Sequence, residues 1–150
     1  MAVEITGTYD GALTCTSTHG PSRSVVRTTA PVDNGGTGDL FSPTDLLATA
    51  LGACMVTIVG LWAKKHDVDV SGTTYRVVKD MVEQPRRRIG KLEVEVRVPA
   101  SVPAALRASL EASALRCPVK ETLRPDTEFD IHFLYEASIK LGYEAASEEG

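Results

Sequence analysis

Hydrophobic and polar positions alternate at the start of the chain. Val3 to Tyr9 alternates Val, Ile and Tyr with polar partners, which predicts a strand. Asp10-Gly11 is a hairpin turn signal, and Ala12 to Thr18 reads as the returning strand, with Leu13 and Cys15 on one face. His19 to Ser22 makes a second turn and Ser24 to Thr29 a third strand, giving an antiparallel meander. Pro31 to Leu40, with four of its positions glycine or asparagine, is a loop. The pattern changes at Ser42, which opens a long apolar segment. Val68 to Val78 returns to strand character, Pro85 to Arg88 forms a basic turn, and Ile89 to Val98 alternates cleanly. There Leu92, Val94, Val96 and Val98 face one way and Glu93, Glu95 and Arg97 the other. Pro103 to about Arg116 carries a helical stripe, Cys117-Pro118-Val119-Lys120 begins a short helical turn, and Phe129 to Tyr135 is a last strand.

The order is βββ-α-ββ-α-β, an α+β domain whose strands come in antiparallel runs. One domain spans 1–150: an N-terminal β-meander and loop over 1–41, a central helix over 42–65, a ββαβ part over 66–136 and an acidic tail over 137–150. No charge occurs from Leu46 to Ala63. Ser42 is placed as N-cap, Pro43 lies in the first turn, and Asp45 stands three residues after the cap. Lys64 and Lys65 close the helix where its dipole favours cations. A run of this length also suits a membrane span, but Thr49, Gly52, Thr57 and Gly60 dilute it and the charged strands around it favour a buried central helix. Ala48, Gly52, Val56 and Gly60 fall on one face, where another backbone can approach. Apolar on all sides, such a helix needs enclosure all round. One sheet covers one side only, so a second copy is expected to supply the rest, giving a homodimer.

Charge and composition narrow the function. A net charge of −4 leaves no broad basic surface for nucleic acid, and 5% aromatics provide no base-stacking platform. The first residues lack the basic-then-apolar order of a signal peptide. Three widely spaced cysteines do not form a secreted disulfide framework, which points to a reducing cytoplasm. His19, His66 and His132 have no metal-ligand spacing, so no metal or other cofactor is expected. Arg86-Arg87-Arg88 reads as a solvated turn, with an anion or partner contact as the sharper alternative. Cys15 reads as structural. Cys54 sits mid-helix in an apolar wall, where a small buried hydrophobe is the plain alternative to a reactive thiol. Cys117 precedes a proline; as an N-cap it would have its thiol pKa lowered by the helix dipole.

Two segments together, SPTDLLATALGAC (Ser42 to Cys54) and LRCPVKETL (Leu115 to Leu123), resemble the OsmC/Ohr family, the osmotically induced and organic-hydroperoxide-resistance proteins. The cysteines stand 117 − 54 = 63 residues apart, as the family pattern asks, and the element order agrees over nearly the whole chain. The resemblance implies an intertwined homodimer and a thiol peroxidase acting on organic hydroperoxides or hydrogen peroxide. It implies Cys54 as the peroxidatic residue, Cys117 as the resolving one, and a dithiol reductant of lipoyl or thioredoxin-like type. The family's arginine from the first hairpin has no counterpart between Tyr9 and Thr18; Arg23 and Arg27 are the nearby candidates. Its glutamate position, ten before the cysteine, holds Thr44, and Asp45 is either the substitute or simply a capping acid. The rival function is a non-catalytic module of the same fold that binds an apolar molecule at a dimer interface or senses oxidation. A generic disulfide-handling protein is a weaker third possibility, because no Cys-x-x-Cys occurs.

Overall fold

The computed structural model describes residues 1–137. Of the acidic tail expected over 137–150, all but the first residue lies outside the described residues. The chain divides after Leu47 into two compact units, described in turn.

The first unit holds β1 (Ile5–Gly11), β2 (Thr14–His19) and β3 (Val25–Thr29), an antiparallel sheet in the order β1-β2-β3. The first turn lies two residues later than the Asp10-Gly11 signal suggests. β1 pairs through Gly11 by way of a bulge, and Ala12 and Leu13 make the turn with φ of 50° and 59°. Positive φ at both loop residues matches the right-handed twist of the flanking strands. Asp10 is released from turn duty and accepts a 2.5 Å hydrogen bond from Thr16. Leu13 therefore leaves the strand and is exposed, while Cys15 stays on β2 opposite Tyr9 and Thr28. In the following loop Gly36 donates to the carbonyl of Pro31, and an added Cβ would stand 1.5 Å from the Ala30 carbonyl oxygen, so only glycine fits.

Helix α1 (Pro43–His66) starts in this unit. Ser42 Oγ accepts from the Asp45 N–H at 3.1 Å and Asp45 Oδ2 accepts from the Ser42 N–H at 2.9 Å. Two orphan amides of the first turn are thus satisfied reciprocally. Lys64, Lys65 and His66 occupy the last turn, as the dipole favours.

The second unit contains the rest of α1, β4 (Thr74–Val82), β5 (Arg88–Pro99), α2 (Ala104–Ala114), α3 (Pro118–Thr122) and β6 (Glu128–Glu136). The sheet order is β4-β5-β6. β4 and β5 form the expected hairpin, but β5 and β6 run parallel, which corrects the expectation of purely antiparallel strands. The connection through α2 and α3 is long enough to carry the chain back to the end where β5 began, and such a crossover makes neighbours parallel. β4 also starts later than the Val-rich stretch suggests. Asp69 accepts the Ser71 N–H at 2.8 Å and Gly72 adopts φ 86°, a turn chemistry that overrides strand propensity there.

Leu92, Val94, Val96 and Val98 of β5 are all completely buried, together with Leu51, Met55 and Val59 of α1. Each such side chain contributes about 1.5–3 kcal/mol on burial. Glu93, Glu95 and Arg97 lie on the opposite, partly exposed face, and Arg97 pairs with Glu95 and Glu136 at 2.7 and 2.5 Å. At its far end α1 is tied to α2 by a 3.0 Å hydrogen bond from Trp62 Nε1 to Ser109 Oγ. The close approach expected on the small-residue face is made by side chains, not backbone: Gly52 receives the Tyr75 ring and Val77, while Gly60 has nothing within 4 Å. Enclosure of α1 is partial within this unit, where Ala50, Thr57 and Leu61 remain exposed.

Candidate functional site

Two thiols meet at the middle of α1. Cys54 projects from the helix half-exposed. Cys117 arrives from the crossover between β5 and β6, where it is the N-cap of α3, with extended backbone at φ −63° and ψ 140° and Pro118 following in the first turn. Its Sγ accepts the Lys120 N–H at 3.3 Å, its carbonyl accepts the Glu121 N–H at 3.1 Å, and its own N–H reaches the Ala114 carbonyl at 3.2 Å. These bonds pin the residue from both sides. Cys117 is fully buried, and the Cys54 side chain neighbours its thiol. All three cysteines are free thiols.

The N-cap position does not depress the Cys117 thiol. Burial pushes it up, and the adjoining Cys54 side chain adds to the rise; the N–H groups of Lys120 and Val119 pull the other way without winning. A helix of five residues brings little dipole, and desolvation of a charged sulfur in the core outweighs it. This reverses the direction expected from the cap alone.

The other candidates fall elsewhere. Asp45 closes the capping box, the simpler of its two expected roles, and Thr44 Oγ1 lies 3.2 Å from Ser42 Oγ. Arg23 sits in the turn before β3 with φ 62°, and Arg27 lies on β3 opposite Thr16; both are exposed, so Arg27 does not point into the core of its own unit. Cys15 belongs to the first unit, on β2 opposite Tyr9. His19 bonds Ser22 at 2.6 Å, His66 donates Nδ1–H to the Trp62 carbonyl at 2.8 Å and stacks on that indole, and His132 pairs with Asp130 at 2.7 Å. Among the described residues no group of three or more His, Cys, Asp or Glu could hold a metal. The sequence reading passed over Lys120. Its backbone N–H caps Cys117 and its ammonium lies 5.0 Å from the centre of the Phe129 ring. Counting three residues on from an N-cap finds that N–H; nothing in the sequence points to the ring contact. An open groove of about 440 Å³ lies beside Val56, Gly60 and Lys64 and the 68–73 loop, and neither cysteine lines it.

A βββ-α-ββ-α-α-β chain with one thiol on its longest helix and a second capping a one-turn helix in the crossover defines a class of two-cysteine α+β proteins. The model of the OsmC-like protein family matches residues 36–132. The chain belongs to that family. It is 35% identical to an osmotic stress induced and detoxification response protein, so described, from Psychrobacter arcticus 273-4, covering 89% of this chain and 95% of that one with a TM-score of 0.80. The fold is shared with an organic hydroperoxide resistance protein OsmC from Legionella pneumophila at 14% identity, with 89% and 97% of the two chains covered and a TM-score of 0.70. It is shared too with an organic hydroperoxide resistance protein from Elizabethkingia anophelis at 19% identity, with 91% and 97% covered and a TM-score of 0.71. A search of curated proteins gives no match. By length and composition α1 is apolar enough to cross a membrane, with a mean hydropathy of 2.0 over its best window. In this fold it is instead the core helix, and Leu51, Met55 and Val59 on it are fully buried.

Proposed function

We propose that the protein is a thiol peroxidase that reduces organic hydroperoxides or hydrogen peroxide in the cytoplasm. What carries the reading is the contact between a half-exposed and a buried thiol contributed by segments 63 residues apart. The Cys54 thiolate attacks one peroxide oxygen, the O–O bond breaks, and the alkoxide leaves as alcohol after taking a proton. Cys54 is then a sulfenic acid. The Cys117 sulfur, already at its side, displaces hydroxide as water and closes a disulfide, which spares Cys54 from further oxidation. A dithiol of lipoyl or thioredoxin-like type restores both thiols. Organic hydroperoxides as substrate rest on the descriptions of the Legionella and Elizabethkingia proteins and stress detoxification on that of the Psychrobacter one.

We assign to the exposed Arg27 or Arg23 the cation that activates the attacking thiol, with Asp45 as the acid near the helix start. The active form is a homodimer: the exposed Ala50, Thr57 and Leu61 along α1 and the exposed Ile5, Tyr9, Val25 and Val26 of the first sheet are the surfaces a second copy would cover. The test is to expose purified protein to cumene hydroperoxide and count free thiols in wild type, Cys54→Ser and Cys117→Ser. Loss of two thiols within seconds in wild type alone supports catalysis; thiols that persist under a large excess of peroxide overturn it. The hairpin without a basic residue favours the second reading, an apolar-ligand module of the same fold, and persistent thiols would turn attention to it.

A further inference from the structure

We propose that Tyr135, Glu111 and Arg107 form a clamp that holds the second thiol beside the first, which makes them positioning residues for disulfide closure. The proposal rests on the disulfide chemistry above and adds what keeps its two thiols in reach. Arg107 and Glu111 stand four residues apart on α2, so their side chains share a face. Tyr135 of β6 meets both. Its hydroxyl donates to Glu111 Oε1 at 3.0 Å, and the Arg107 guanidinium lies 4.2 Å from the centre of its ring. Arg107 is itself fixed: its Nε–H donates to the Val102 carbonyl at 3.1 Å and its Nη2 to the Ala100 carbonyl at 3.0 Å. The Ala100 N–H in turn reaches the Glu136 carbonyl at 2.8 Å. The clamp thus joins α2, the loop before it and the end of β6.

Local support for α2 is thin. Its N-cap, Pro103, makes no side-chain bond, no acid stands in its first turn and no base in its last. From Glu111 the backbone leads to Cys117 through consecutive hydrogen bonds. The Leu115 N–H reaches the Glu111 carbonyl at 3.0 Å, the Arg116 N–H the Ser113 carbonyl at 3.1 Å, and the Cys117 N–H the Ala114 carbonyl at 3.2 Å. The turn that Glu111 pins to β6 is therefore the turn that carries Cys117. Leu110 and Ala114 fill the core from a neighbouring face of α2. Apolar burial is non-directional, whereas the Tyr135–Glu111 bond is directed and fixes the rotation of the helix end. Burial first, and Glu111 next, hold the Tyr135 hydroxyl above its ordinary pKa range, so it remains a donor at neutral pH.

Competition for the oxidised Cys54 sulfur measures how well Cys117 is held. Wild type, Tyr135→Phe, Glu111→Ala, Glu111→Gln and the double variant Tyr135→Phe/Glu111→Ala are treated with diamide at a fixed concentration of glutathione, acid-quenched and alkylated. Peptide mass spectrometry gives the ratio of Cys54–Cys117 disulfide to glutathione-bound Cys54. Tyr135→Phe keeps the ring under Arg107 and removes only the hydroxyl. It and Glu111→Ala should each lower the ratio by about threefold to tenfold, the range one hydrogen bond supports. Glu111→Gln keeps an acceptor oxygen in the same place and should stay near wild type. The double variant should fall no further than either single one, because both remove the same bond. An unchanged ratio in Tyr135→Phe overturns the proposal, and so do losses that multiply in the double variant, as two independent destabilisations would. The two readings fail separately. Thiols that persist under cumene hydroperoxide, beside diamide ratios as expected, would sink the peroxidase and leave the clamp standing. Rapid loss of thiols to peroxide with a ratio unmoved by Tyr135→Phe would do the reverse.

Discussion

Two glycines of α1 should respond to the same substitution with opposite signs. A helix-interior Gly→Ala change gains about 0.8–1.0 kcal/mol from propensity alone. At Gly52 the new Cβ would fall 2.3 and 2.6 Å from the Cδ2 and Cε2 atoms of Tyr75 and 2.9 Å from Val77 Cγ2. Two neighbours on β4 crowd the methyl at once, and both the Tyr75 ring and the Val77 side chain must give way to admit it. Overpacking of this kind costs about 1–3 kcal/mol, which outweighs the propensity gain. Gly52→Ala should therefore destabilise by up to about 2 kcal/mol net, or lower Tm by up to about 8 °C at this chain length. Gly60→Ala meets nothing within 4 Å and should keep the propensity gain, raising Tm by about 2–4 °C. Thermal unfolding followed by circular dichroism, with protein concentration held fixed, measures both. A Gly52→Ala variant that melts at or above wild type refutes the packing argument. A loss at Gly60 would show instead that another surface, such as a second copy, sits on that face.

The remaining predictions concern the cap, the core and the thiols. Ser42→Ala removes the side-chain half of the capping box and should cost about 1 kcal/mol in denaturant unfolding; an unchanged midpoint would mean the reciprocal bonds are idle. Leu51→Ala, at a site with no exposure, should cost about 2–5 kcal/mol by the same assay. Cys117→Ser should let a dimedone-reactive sulfenic acid build up on Cys54 after peroxide, and Cys54→Ser should give none; label on both variants alike would remove the assignment of roles. The raised Cys117 thiol makes stability pH-dependent. The folded state holds this proton more tightly than the unfolded chain, so the contribution is fully present below the ordinary thiol pKa of about 8.5 and fades as pH rises above it. Urea midpoints of wild type should fall more steeply between pH 8 and 10 than those of Cys117→Ser, and parallel curves would contradict this.

Much of the second unit could be read from period and punctuation. The alternation from Leu92 to Val98 placed the dry face of β5 correctly, because a sheet with one buried face forces a period of two. The box of Ser42 and Asp45 was legible because capping is local chemistry. What the sequence left hidden is non-local. Whether β6 lies parallel or antiparallel to β5 depends on where the crossover returns the chain, which no residue of Phe129 to Tyr135 encodes. The first turn misled because Asp10-Gly11 competes with a bulge that lets pairing continue, and the bulge won.

The thiol pair illustrates the same division. That Cys117 caps a helix follows from the proline after it, and that Cys54 lies mid-helix follows from the uncharged run around it. That the two thiols are neighbours does not follow from either, since they are brought together only when the crossover packs against α1. Leu110, Ala114 and Cys117 are all fully buried in one cluster with Leu51 and Met55, so the segment carrying the second thiol is held by the core and not by its single helical turn. A site assembled this way inherits the stability of the core. Loosening Leu110 should therefore separate the thiols before it unfolds the sheet, and Leu110→Ala should slow disulfide closure after peroxide while the circular dichroism of the native protein is retained. Closure at the wild-type rate in a variant destabilised by about 2–5 kcal/mol would show that α3 is positioned by its own cap alone.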